Sequence, residues 1–478
     1  MHFPYPRRQQ YVFENKQRPT TDVRNFDNLL TFSRRAGDVR HVRSNDAQNI
    51  DCLFLWERRM VTAVRTPPVS RVATIGTESS PRSAPAPRLA SVDMLRGLVM
   101  IIMALDHTRD FLTSVRTAPE DLAHTNGALF FTRFITHYCA PVFAFLAGTG
   151  AYLSTRRGKS LSQVSRFFLT RGLWLIFLEL TVVDFAWGFV PWAHGGVIWI
   201  LGWSMVAMAA IVWLPLRWIA VLGLSLIATH NLLDGINPAH FGKFYWLWVM
   251  LHTPGPVPIT AGFTLSVRYV LIPWVGVMAA GFAFGSLLQR PDRRKWTLIL
   301  GASATALFFV LRGINLYGNG IAGLPFGYPR SAGPWGVQST LVLAAISFFN
   351  VLKYPPSLDY LLITLGPALV LLGWFDRVKA AGWVSRGLLV FGRVPLFYYL
   401  LHLYLIHVMA IVVSLAFHQP IFYGTVIADH AQRPLGYGHG LPFVYAMWIL
   451  AVTLLYFPCR WFMEFRARHR DWAWLSYL

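Results

Sequence analysis

Acidic residues are scarce in this chain. There are 22 Asp and Glu against 43 Lys and Arg, and charged residues make up only 14% of 478 positions. An ordinary soluble domain, about a quarter charged, is excluded. Cysteine is scarcer still. Cys52, Cys139 and Cys459 are odd in number and far apart, so neither a disulfide framework nor a cysteine metal site is expected. No P-loop, dinucleotide fingerprint or nucleophile elbow occurs, and no metal-ligand spacing of a recognised type, so no metal is expected. The first residues are polar and Arg-rich, without the apolar stretch of a cleavable signal. What is abundant is apolar: 55% hydrophobic and 15% aromatic residues, the balance of a polytopic all-α membrane protein. The net charge of +21 fits cytoplasmic loops and anionic headgroups better than nucleic acid, so lipid is the expected partner and nucleic acid is not.

Residues 1–90 are polar and basic, and become Pro/Ser-rich from Thr66 to Leu89, which reads as a disordered leader. Met60 precedes a more ordinary stretch, so 1–59 is a candidate for exclusion from the native product. A transmembrane domain follows over 91–478. Spans are expected at about 94–112, 129–153, 167–187, 195–213, 216–230, 266–288, 296–312, 357–375, 393–417 and 442–462, most near the ~20 residues a bilayer needs. An eleventh apolar stretch, 337–352, is read as interfacial. Ten spans put Arg156, Arg157 and Lys159, the Arg290–Lys295 cluster, Arg377, Lys379 and Arg386, and Arg466 to Arg470 on one side, and the positive-inside rule makes that side cytoplasmic. Both termini then lie in the cytoplasm of a bacterial-type inner membrane. The outer loops, 231–265, 313–356 and 418–441, are rich in Gly, Pro, Asn and aromatics.

One segment breaks the apolar pattern. Met94 to Leu105 reads as a membrane helix, and then Asp106-His107-Thr108-Arg109-Asp110 places four ionisable groups in five residues. Such groups are costly at membrane depth and mark a site or a pathway. The plain alternative ends the helix at Leu105 and leaves the knot among headgroups. At 1.5 Å rise per residue, His107 lies about 20 Å from the inner boundary, His137 and Glu179 about 18 Å, His407 about 21 Å and His402 about 14 Å. Ionisable groups on four spans thus share one layer. Arg96 lies on the face of His107, about 16 Å below it, and Asp93 can pair with Arg96 one turn away.

This layer suits acyl transfer to a sugar hydroxyl or amine, which needs a base near neutral pKa. His107 is the candidate general base, oriented by Asp106, Asp110 or Glu179, with His137 and His402 as further participants. Arg96, with Asp93 beside it and the inner loop Arg156, Arg157 and Lys159, is placed to hold the phosphates of a cytoplasmic acyl donor. Each histidine alone is more simply a structural, hydrogen-bonded residue; their common depth is what favours a site.

Several stretches also resemble a known family. They are Ser91-Val-Asp93-Met-Leu-Arg96-Gly97 with Asp106-His107, Thr136-His137-Tyr-Cys-Ala-Pro141 through Gly148, Lys353-Tyr-Pro-Pro-Ser-Leu358, and Phe391-Gly-Arg393 through His402. More loosely, Cys459-Arg-Trp-Phe462 and the ending Asp471 to Leu478 belong with them. Together they resemble the heparan-alpha-glucosaminide N-acetyltransferase-like family. The resemblance implies a multi-helix acyltransferase that moves an acetyl group from cytoplasmic acetyl-CoA to a glucosamine-type sugar on the far side, here an amino sugar or envelope glycan. By spacing, His107 falls at the family's first-helix asparagine, His137 at an acidic position and His402 at a late-helix histidine. The competing readings are a proton-coupled transporter, with the polar layer as relay, and a non-catalytic partner subunit. No inverted repeat is visible, which disfavours the transporter.

Overall fold

The computed structural model describes residues 88–155, 158–189, 193–260, 263–320, 333–380, 382–421, 433–469 and 471–476. Almost all of the expected leader, and Arg156 and Arg157, lie outside the described residues.

The chain forms α1 (Ala90–Leu112), α2 (Gly127–Ile135), α3 (Cys139–Thr155), α4 (Leu161–Leu178) and α5 (Asp184–Gly188), the last two joined by a π turn over Glu179–Val183. A two-residue strand β1 (His194–Gly195) precedes α6 (Val197–Ile211), α7 (Leu216–Thr229) and α8 (Tyr245–Leu251). Strands β2 (Gly255–Thr260) and β3 (Phe263–Val267) lead into α9 (Leu271–Leu287), α10 (Arg293–Ile314) and α11 (Leu341–Phe349). α12 (Leu358–Phe375), α13 (Trp383–Arg393), α14 (Pro395–Ala416) and α15 (Leu441–Arg468) complete it.

The protein is mostly helical. Among the described residues, six helical segments are long and apolar enough to cross a membrane: 127–155, 216–233, 293–314, 358–375, 395–416 and 441–468. The remaining four expected spans fall on α1, on α4 through α5, and on the shorter apolar helices α6 and α9. α11 is nine residues, about 14 Å, too short to span. α7, α10 and α15 turn apolar side chains outward, including Leu224, Phe309 and Phe457, whereas α3 is largely enclosed. Apolar outer faces of this kind suit lipid contact.

The expectation of an all-α chain needs one correction. β3 pairs parallel with β1 and antiparallel with β2, giving a three-stranded sheet in the order β1-β3-β2. Gly255-Pro-Val-Pro-Ile-Thr260 lies within the expected outer loop 231–265. Here the two prolines stand in β2, at one edge of the sheet, where an unpaired side tolerates them.

α1 packs against α13, α14 and α15, α3 against α9, α4 against α6, and α10 against α12. Small residues set two of these crossings. A Cβ on Gly97 would stand 1.9 Å from the Leu388 carbonyl oxygen, and one on Gly392 would stand 1.8 Å from that of Asp93. Gly148 and Gly281 let α3 and α9 approach in the same way. Without a hydrophobic drive between helices in lipid, such close backbone contact is what holds them together.

Candidate active site

α1 does not end at Leu105. It runs 23 residues and carries the polar knot on its last two turns. The final carbonyls of a helix lack intrahelical partners, and the segment 433–439 supplies them. Arg433 donates to the Asp110 oxygen at 3.0 Å, Tyr437 to that of Phe111, and the His439 N–H to that of Leu112 at 2.8 Å.

The charges of the knot pair among themselves and with one residue the sequence reading passed over, Arg133 on α2. Arg109 donates to Asp106 at 2.8 Å and to Asp110 at 2.7 Å. Arg133 reaches Asp106 at 3.2 Å and Glu120 at 3.1 Å. Two of the three carboxylates expected to orient His107, Asp106 and Asp110, therefore serve arginines. The physical reason is strength: a charge-assisted arginine–carboxylate bond outcompetes one from a neutral imidazole.

His107 bonds instead to His402 on α14, its Nδ1 lying 2.7 Å from Nε2 of His402, with the rings stacked at 4.9 Å. The tautomers follow. Nδ1 of His402 lies 3.1 Å from the Tyr398 carbonyl oxygen, which can only accept, so that nitrogen carries the proton. Nε2 of neutral His402 is then an acceptor, and Nδ1 of His107 must donate to it. This leaves Nε2 of neutral His107 as a lone-pair site, the atom a general base uses. The assignment comes from the hydrogen-bond network, as it must for hydrogens. Trp187 packs edge-on against the His107 ring at 4.9 Å, and Phe111 stacks on Trp187 at 5.2 Å.

His137, at the junction of α2 and α3, is 2% exposed, and neither ring nitrogen has a hydrogen-bond partner. Its ring stands 5.4 Å from that of Tyr360, whose hydroxyl donates to the His137 carbonyl oxygen at 2.9 Å. His407 bonds the Ala186 oxygen at 2.7 Å and stacks on Phe189 at 4.2 Å, which places it one turn beyond His402 on a different face. Glu179 has a structural task. From the π turn it accepts the Ile198 N–H at 3.1 Å, and Asp184 accepts that of His194 at 2.9 Å, so the pair receives the chain as it enters α6. A Cβ on Gly196 would strike the Glu179 carboxylate at 2.1 Å.

Below the histidines lies a cavity of about 320 Å³. Among the described residues, six basic side chains line it, Arg88, Arg96, Lys159, Arg171, Arg393 and Arg466, with one carboxylate, Asp93. Arg96 donates to Asp93 at 3.1 Å and to the Gly392 oxygen at 3.2 Å, which fixes its head at the mouth. At the other end the lining includes Met100 and Tyr399. The Tyr399 ring is 5.4 Å from that of His402, and Met100 is about 10 Å below His107 along α1. Arg393 and Arg466 are lining residues outside the expected donor site: Arg466 was counted with the inner-side charge and Arg393 with the start of the span 393–417. Their signal was there: Arg393 closes the Phe391-Gly-Arg motif.

These features define a class: a helical membrane protein with a buried histidine, His402, bonded to a half-buried one, His107, near a basic cavity. Residues 88–316 match the family model described as "Heparan-alpha-glucosaminide N-acetyltransferase, catalytic", and over that stretch the chain resembles that family. The match includes His107 and His137 and stops before His402. A comparison with curated proteins finds no match.

Proposed function

We propose that this chain is a membrane-embedded acetyltransferase that takes its acetyl group from cytoplasmic acetyl-CoA and delivers it to an extracytoplasmic amino sugar or envelope glycan. The observation that carries this reading is the basic cavity, lined by arginines and by Tyr399, whose ring stands 5.4 Å from that of His402. The phosphates of the donor sit at Arg96, Arg393 and Arg466, supported by Arg88 and Lys159. The thioester arm runs upward past Met100 and Tyr399 toward the histidine pair.

In the chemical step the acceptor nitrogen or oxygen attacks the thioester carbonyl while Nε2 of His107 takes its proton. The carbon–sulfur bond then breaks, and the CoA thiolate leaves with a proton returned from the imidazolium. His402 fixes the His107 tautomer and accepts from it, so it is a positioning residue. His137 positions the acceptor. Asp106 and Asp110 act at one remove, holding the end of α1 through Arg109 and Arg133. The chain crosses the membrane ten times with both termini in the cytoplasm.

Binding of acetyl-CoA to detergent-purified protein, wild type beside Arg96→Ala, tests the donor site by calorimetry. Micromolar binding that the substitution weakens supports the reading, and folded protein that binds nothing removes it. A tag placed after Arg157 is expected to be cytoplasmic and one near Asn319 external; the reverse result overturns the topology.

A further inference from the structure

Away from the cavity, the end of α7 and the end of α8 bring together three groups that the acetyltransferase reading does not use. The turn His230–Leu233 follows α7, and His230 and Asp234 stand four residues apart on it. His252 follows α8, eighteen residues beyond Asp234. Ligand atoms of His230, Asp234 and His252 all lie within 4.8 Å of one another. Nε2 of His252 is 2.9 Å from Oδ1 of Asp234.

A plain His–Asp hydrogen bond accounts for two of the three. It leaves His230 unexplained. That ring is 1% exposed and neither of its nitrogens has a partner among the described residues, and a buried polar group left unsatisfied is costly. Nδ1 of His252 is likewise unpartnered. The surroundings have the form of a metal site's outer shell. Nδ2 of Asn231 donates to Oδ2 of Asp234 at 2.8 Å, holding the carboxylate and leaving Oδ1 turned to the histidines. Oδ1 of the same asparagine accepts the Leu358 N–H at 2.8 Å, which ties the turn to the start of α12. Trp248 packs 5.6 Å from His252, and Phe241 stacks on Trp248 at 4.9 Å, forming an apolar wall. Ligands that are hydrogen-bonded from behind and shielded from water are what tune a bound ion.

A second triad, Glu179, Asp184 and His194, meets the same distance criterion. Its carboxylates already accept backbone N–H groups at the start of α6, so it offers an ion far less.

We propose that His230, Asp234 and His252 bind one divalent transition-metal ion of the zinc class, clipping the loop between α7 and α8 onto the end of α7. Two imidazoles and one carboxylate suit Zn²⁺, with water as the fourth ligand. Neutral His230 supplies the lone pair it otherwise wastes, and the ion replaces the proton between His252 and Asp234. Spacings of four and eighteen residues match no motif, which is why the chain gave no warning. The inference is independent of the acetyltransferase reading.

The test uses full-length protein in detergent, purified without a histidine tag and stripped with chelator. Co²⁺ is the probe, read by its visible absorption, with Zn²⁺ as competitor. One Co²⁺ per chain with a tetrahedral spectrum, displaced by Zn²⁺, is expected. His230→Ala and Asp234→Asn should each weaken binding more than about 100-fold, since even outer-shell changes cost 10–100-fold. His124→Ala, which removes an exposed His–Asp pair, should change nothing. Absence of stoichiometric binding overturns the proposal, as does binding that survives both site variants or is lost with His124→Ala. If neither site variant is recovered as a monodisperse species, Cu²⁺-loaded wild type decides by pulsed EPR: two coupled imidazole nitrogens support the site, and none or one refutes it.

Discussion

The C-terminal end of α1 and the cavity use the same residue types in different balances of charge. At the end of α1 Arg109 and Arg133 meet Asp106, Asp110 and Glu120 at 2.7–3.2 Å. Among the described residues that line the cavity are six basic side chains and one carboxylate. Balanced charges hold helices in place. A net excess of positive charge attracts an anion. The histidines between them follow a third pattern. They are neutral, bonded to each other in a fixed order, and one nitrogen remains to take a proton. Pairing state therefore separates scaffold from site better than residue type does.

The comparison can be broken most sharply at His107. His107→Ala should lower acetyl transfer by at least ~100-fold, within the range a general base contributes, while the protein still inserts and elutes normally. Turnover close to wild type would take His107 out of the mechanism. His402→Gln should also lower kcat, but by less, because the His107 nitrogen remains and only its orientation is lost. A loss in KM alone would argue that His402 contacts substrate rather than positioning the base.

At the matched end the effect should be on stability. Arg133→Met leaves Asp106 and Glu120 without this partner, and breaking a buried pair costs about 3–5 kcal/mol. A large fall in Tm is expected with acetyl-CoA affinity unchanged in whatever folds. The opposite result, weaker donor binding at wild-type Tm, would erase the distinction drawn here. Arg466→Ala at the mouth is the converse case. We expect Tm within a degree or two of wild type and acetyl-CoA affinity down ~10-fold, the worth of about one charge-assisted bond. The loss should shrink at high salt, because a partly exposed site is screened.

Much of the architecture was legible. Each of the ten expected spans falls on a helix or helix pair, because runs of about twenty apolar residues leave the backbone no other way to satisfy its hydrogen bonds in lipid. Helix arithmetic set His107 and His402 about 6 Å apart in depth, yet these two touch, whereas Glu179 and His407 bond the backbone elsewhere. It also put Arg96 below His107 on α1, where the cavity mouth lies. The sheet β1-β3-β2 was not legible, since its prolines and short strands read as loop. Neither was the partner of Asp106: Arg133 lies 27 residues away across the turn into α2, and only the packing of α2 on α1 brings it within reach.

The chain alone thus indicated the membrane class and the helix positions, since hydropathy and helix periodicity act locally along the sequence. The tertiary structure alone decided which polar group answers which. It gave the carboxylates of the knot to arginines, Glu179 to the start of α6, His107 to His402, and His230 to a cluster with Asp234 and His252. Those choices depend on distances between helices, and close glycine crossings such as Gly97 with Gly392 set them to within an ångström.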